Sequence, residues 1–140
     1  MGFKQIELVP PQISVLQPAA KAHQIKAFQA ARTDTENPLK VMLPAQSSVT
    51  DITVYGGTAS NAGTTAVLTI TISDNSGVIS TGTYDVKTNG AVTGSVTMSG
   101  LPNLEPLPLN GDLKINVDYS ETGTASTLGG PWKMSVEYVA

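Results

Sequence analysis

The chain contains no cysteine, which excludes disulfide bonds, thiolate metal ligation and thiol redox chemistry. It has one histidine, His23, so a multi-histidine metal centre cannot form, and a histidine base would need a nucleophile and an orienting group that no motif supplies. His23 therefore reads as a surface residue. Charge is also scarce. Charged residues make up 14% of the chain, with eight basic and eleven acidic side chains and a net charge of −3, against about 25% in typical soluble domains. The basic residues are scattered, so no phosphate-tracking surface is expected and nucleic acid is not an expected partner. Lys21, Lys26 and Arg32 fall in one segment, but Lys21 and Lys26 lie on opposite faces of a strand, and the three read as solvated charge. No apolar run approaches the ~20 residues of a membrane-spanning helix, so no membrane contact is expected. The first residues, Met1-Gly2-Phe3-Lys4-Gln5-Ile6-Glu7, lack the apolar core and small-residue cleavage site of a secretory signal, which implies synthesis and use in a cytoplasm.

What the chain does have is alternation. From about residue 49 onward apolar and polar residues follow each other with a period of two, which sends successive side chains to opposite faces of a strand. Leu113, Ile115, Val117 and Tyr119 alternate with Asp112, Lys114, Asn116, Asp118 and Ser120. Ala66, Leu68, Ile70 and Ile72 do the same, as do Trp132, Met134, Val136 and Tyr138, with shorter cases at Ile52 and Val54 and at Val96 and Met98. Turn clusters separate these runs: Gly56-Gly57, Ser60-Asn61-Ala62-Gly63, Asp74-Asn75-Ser76-Gly77, Asn89-Gly90, Asn110-Gly111 and Gly129-Gly130-Pro131. Short strands with one wet face and tight turns predict an all-β domain with antiparallel pairing, a sandwich or barrel rather than a parallel α/β sheet. Its 140 residues suit one core.

The first third differs. Pro10-Pro11 and Pro18 interrupt two short apolar runs, Ile6 to Val9 and Ile13 to Leu16, so neither fits a long helix or a central strand. Residues 1–20 read as an extended arm and residues 21–140 as the β domain. Within residues 20–32, Ala22, Ile25, Phe28 and Ala31 repeat every three residues, while Ile25, Ala27 and Ala31 share a strand face, so helix and strand both fit the pattern. Thr33 to Pro38 reads as a turn, and Leu39 to Leu43 as a short strand stopped by Pro44. The stretch 101–109 alternates leucine with proline and other groups that cannot continue a ladder. Exposed leucines on such a stiff loop suit docking, although folding back onto the end of the domain is the other reading. The candidate protein-contact residues are Ile6, Leu8, Ile13 and Val15 in the arm and Leu104, Leu107 and Leu109 in the loop.

No catalytic constellation is present. The chain has no Gly-x-Ser-x-Gly elbow, Walker loop or dinucleotide fingerprint, and no catalytic, cofactor-binding or metal-ligating residue is assigned. Asp74-Asn75-Ser76-Gly77 lacks the alternating ligands and terminal glutamate of a calcium loop and reads as a hairpin turn. Asp112, Asp118, Glu121 and Glu137 fall at wet strand positions or strand ends, with nothing to pair them as glycosidase carboxylates. Trp132 shares its face with Met134, Val136 and Tyr138 and reads as core, which leaves Tyr55 and Tyr84 as candidates for exposed aromatic contact.

The stretch Leu43-Pro44-Ala45-Gln46-Ser47-Ser48-Val49-Thr50-Asp51-Ile52-Thr53-Val54, followed by Thr58-Ala59-Ser60-Asn61-Ala62-Gly63-Thr64-Thr65-Ala66-Val67-Leu68-Thr69-Ile70, resembles small β-rich virion proteins of tailed bacteriophages, among them capsid cement, or decoration, proteins. The likeness covers roughly residues 20–73 and favours strand over helix for residues 22–31. It implies a single jelly-roll-like β-sandwich that is not an enzyme and needs no cofactor. It also implies assembly, usually as a homotrimer, on the major capsid protein or other virion subunits, with the protein made in the host cytoplasm and located at the capsid surface. A tail or head-completion component is a related expectation. A ligand- or carbohydrate-binding β-sandwich module is the alternative from a different class.

Overall fold

The computed structural model describes residues 22–35, 38–89, 93–99 and 111–140. The arm assigned to residues 1–20 and the loop at 101–109 lie outside these. Among the described residues there are nine strands: β1 (His23–Ala30), β2 (Leu39–Leu43), β3 (Ser48–Gly56), β4 (Thr65–Asp74), β5 (Gly77–Asp85), β6 (Gly94–Ser95), β7 (Thr97–Met98), β8 (Leu113–Thr122) and β9 (Trp132–Val139). They form two antiparallel sheets, one in the order β1-β9-β3-β6 and the other β2-β8-β4-β5-β7. The protein is an all-β sandwich, and its wiring is that of a jelly roll. β4 pairs with β5, β3 with β6, β2 with β8 and β1 with β9, which is one long hairpin of nested pairs. Rolling that hairpin up creates the two further ladders, β3 with β9 and β4 with β8.

Alternation builds the core directly. Every inward position of β8 (Leu113, Ile115, Val117, Tyr119), of β4 (Ala66, Leu68, Ile70, Ile72) and of β9 (Trp132, Met134, Val136, Tyr138) is buried. In β3 the parity breaks: Val49, Ile52 and Val54 are all buried because the register against β9 shifts between Val49 and Asp51. A bulge of this kind lets one extra residue pass without turning the following side chains outward. The opposite face of the second sheet is lined by threonine. Thr69 faces Thr83, Thr71 faces Thr81, and Thr83 faces Thr97 across the strands. β-branched hydroxyls suit a wet pleated surface, which is how this chain covers its sheets with so little charge.

Two elements depart from expectation. β5 carries no apolar alternation, because its inward residues are Ser80, Gly82 and Tyr84. Gly82 leaves room for β7: a Cβ there would sit 2.5 Å from Met98 Sδ and 2.6 Å from the Thr97 carbonyl oxygen. Tyr84, expected as an exposed aromatic, is buried instead, with only Tyr55 of that pair exposed. The Val96–Met98 segment is not one strand either. Gly94–Ser95 pairs with β3 in the first sheet and Thr97–Met98 with β5 in the second, so the chain changes sheets at Val96.

Residues 23–30 are strand, as the resemblance favoured over helix. Only Phe28 and Ala30 turn toward the core, while Ile25 and Ala27 occupy the outer face. Arg32 to Thr35 form a turn, Leu39–Leu43 is a strand, and Asp74–Gly77 closes the β4–β5 hairpin, where the Asp74 carboxylate accepts the Ser76 amide at 2.7 Å.

Candidate interaction surface

Ile6, Leu8, Ile13, Val15, Leu104, Leu107 and Leu109 all lie outside the described residues, yet the residues flanking them fix where both segments attach. Ala22 and Ala140 exchange two backbone hydrogen bonds, at 2.9 and 3.1 Å, which sets the arm's root beside the end of β9. The Pro44–Ser47 turn lies at the same end of the sandwich, since Ser48 and His23 both face Val139 across β9. The β4–β5 hairpin turn is there too, with Gly111 packed against Asn75. After β7 the chain runs toward this end, where the Ser99 amide donates to the Thr81 carbonyl at 3.0 Å. Arm and proline-rich loop therefore leave from one end of the jelly roll.

Among the described residues β1 is the outermost strand of the first sheet and pairs with β9 alone. The Ala22–Ala140 exchange fixes which way its backbone groups point. Even-numbered residues direct their N–H and C=O toward β9, so His23, Ile25, Ala27 and Gln29 direct theirs to the side away from β9. The outer face of this edge carries Ile25, 62% exposed, beside His23, whose Nε2 lies 3.4 Å from Glu137 Oε1. On the other sheet the neighbouring edge, β2, exposes Leu39 and Met42, and Lys26 Nζ donates across the corner to the Met42 carbonyl at 3.4 Å. Lysine at an edge is a common guard against unwanted strand pairing. Here it lies against the β2 edge.

The opposite end is locked by polar contacts. Arg32, read from sequence as solvated charge, is partly buried and reaches across more than ninety residues of chain. It donates to the carbonyls of Ser126 (3.2 Å), Thr127 (3.3 Å) and Gly129 (3.4 Å) and to the Ser126 hydroxyl (3.2 Å). Asn61 holds the same loop from the other side, its Oδ1 accepting the amides of Thr127 (2.9 Å) and Leu128 (3.0 Å). Beneath them Tyr119 stacks on Trp132 with ring centroids 5.5 Å apart, and its hydroxyl lies 2.8 Å from both Ser60 Oγ and Glu121 Oε1. Sequence spacing gave no sign of this network because its members meet only through the fold.

The Ser126 hydroxyl, the Ser126 amide and the Tyr119 hydroxyl all donate to Glu121 and hold its carboxyl below the ordinary glutamate value. A carboxyl whose folded pKa is lowered stabilises the fold above its unfolded pKa, and that contribution is lost as pH falls through the folded pKa. Urea midpoints are therefore expected to fall on acidification below about pH 4.3, and to fall less steeply for Glu121→Gln. Identical pH slopes for the two proteins would show that this carboxylate is not the acid-sensitive group.

Among the described residues no group of three or more histidine, cysteine or acidic side chains is placed to hold a metal ion. No helix among them is long and apolar enough to cross a membrane. Comparison with protein-family models, with curated proteins and with solved structures gives no match.

Proposed function

We propose that this protein is a non-enzymatic structural component of a tailed-phage virion that binds and stabilises the capsid shell, a cement or decoration protein. The observation that carries the reading is the convergence of the arm root and the proline-rich loop root on one end of a jelly roll. A shell-binding protein needs a stiff body with its contact segments gathered on one face, because ordering several segments scattered over a surface costs more conformational entropy for the same contact. Low charge and a threonine-rich surface suit an interface whose centre is depleted of charged residues. The partner in this reading is the major capsid protein or a neighbouring virion subunit, the assembly unit a homotrimer, and the location the outer capsid surface. A tail or head-completion role would use the same elements. The carbohydrate-module reading loses its main platform, since Trp132 is fully buried.

Removing residues 1–18 is expected to leave a cooperatively folded domain that no longer co-sediments with purified capsids of the virus encoding it. Full capsid occupancy by the truncated protein, or absence of the protein from purified virions, would overturn the assignment. Light scattering on the isolated protein checks the trimer.

A further inference from the structure

The outward residues at the middle of β8 are Lys114, Asn116 and Asp118, an order that becomes its own complement when the strand is reversed. We propose that this face of the second sheet packs against the same face of a second copy of the chain, about a two-fold axis that crosses the strands at Asn116. Lys114 of each copy then meets Asp118 of the other, and the two Asn116 side chains meet on the axis.

Charge selects this alignment. β8 lies between β2 and β4, so the three residues sit within the face rather than at its rim. Lys114 and Asp118 stand about 6.6 Å to either side of Asn116. Among the described residues neither belongs to an ion pair. A parallel stacking would set lysine on lysine and aspartate on aspartate, whereas the reversed one joins opposite charges at both places. Asn116 supplies an independent observation, because its Oδ1 is buried without a hydrogen-bond partner. Leaving a buried amide oxygen unpaired is costly. An amide is both donor and acceptor, so two asparagines turned toward each other across a two-fold axis pair reciprocally, each Oδ1 accepting from the opposite Nδ2. The rest of the axis row, Leu39, Thr71 and Thr81, carries no charge that would have to be stripped of water. Leu39, opposite Asn116, and Met42, opposite Lys114, are 43% and 46% exposed and add apolar area beside the charged pairs.

The contact is separate from capsid binding. It doubles whatever unit the isolated protein forms, giving a dimer from a monomer or a hexamer from a trimer. A face this polar makes a non-obligate interface, so the doubling is read by sedimentation velocity from about 1 μM to about 1 mM. The unmodified protein is expected to double in mass across this range. Lys114→Glu and Asp118→Lys each set like charges together at both contacts, and each is expected to weaken the doubling by about a hundredfold or more. An equimolar mixture of these two variants is expected to recover it, because both contacts of the mixed pair join opposite charges. Asn116→Asp, which brings two carboxylates together on the axis, is expected to abolish it. Far-ultraviolet circular dichroism of each variant is expected to match that of the unmodified protein. No doubling of the unmodified protein, doubling that survives either charge reversal, or no recovery on mixing would overturn the proposal.

Discussion

Replacing Trp132 with alanine is expected to lower the unfolding free energy by about 3–5 kcal/mol, the usual cost of emptying a large aromatic site in a core. Trp132 is completely buried at the start of β9, and it is one face of the stack with Tyr119 that joins the two sheets. Total stability for a domain of this size is about 5–15 kcal/mol, so the loss is a large fraction of it. The midpoint of thermal unfolding should fall by about 10 °C or more. Trp132→Phe is expected to cost much less. It keeps a ring against Tyr119 and removes an indole N–H that finds no acceptor among the described residues. Differential scanning calorimetry of the three proteins checks both, and a Phe variant as unstable as the Ala variant would mean that the indole's outer ring, rather than the stack, fills the site.

The second large effect lies in the turn between β1 and β2. Asp34 Oδ2 lies 2.6 Å from Lys40 Nζ and accepts the Ala31 amide at 2.6 Å, while the Asp34 carbonyl accepts the Tyr119 amide at 2.9 Å. The two charged side chains retain only 16% and 13% of their exposure. Removing one partner of a pair so enclosed leaves the other charge unmatched, and Asp34→Ala is expected to cost about 3 kcal/mol. Adding Lys40→Met to that variant should recover most of the loss, because an apolar chain of similar length needs no counter-ion. Urea denaturation of the single and double variants measures the coupling. Strictly additive losses would show that the pair contributes nothing beyond its separate side chains.

How much of this was legible beforehand varied with the physics of each element. β4, β8 and β9 were readable because their inward residues are all large and apolar, and each strand is buried on one face only. β5 was invisible because Ser80, Gly82 and Tyr84 fill its inward positions. What buries them is the closeness of β7, a tertiary fact. Alternation continues through Val96 and predicts one strand there, although the hydrogen bonds change sheets at that residue. Arg32 looked solvated for a related reason. Its partners at 126–129 share no local pattern with it, and only the wiring brings them together. Sequence singles out residues 1–20 and 101–109 as candidate contact segments, but not that the described residues flanking them share an end of the body.

The placement of Ala22 beside Ala140, joined by two hydrogen bonds at one end of the β1–β9 ladder, also decides how the body bears load. A force that pulls residue 22 away from residue 140 acts across the strands and opens the ladder like a zipper, one pair after another, so little tension is needed. A force between residue 22 and the far-end loop at 123–131 runs along the strands and must shear all eight β1–β9 pairs together. The sandwich is therefore compliant toward traction between residues 22 and 140 and stiff toward tension along its strands.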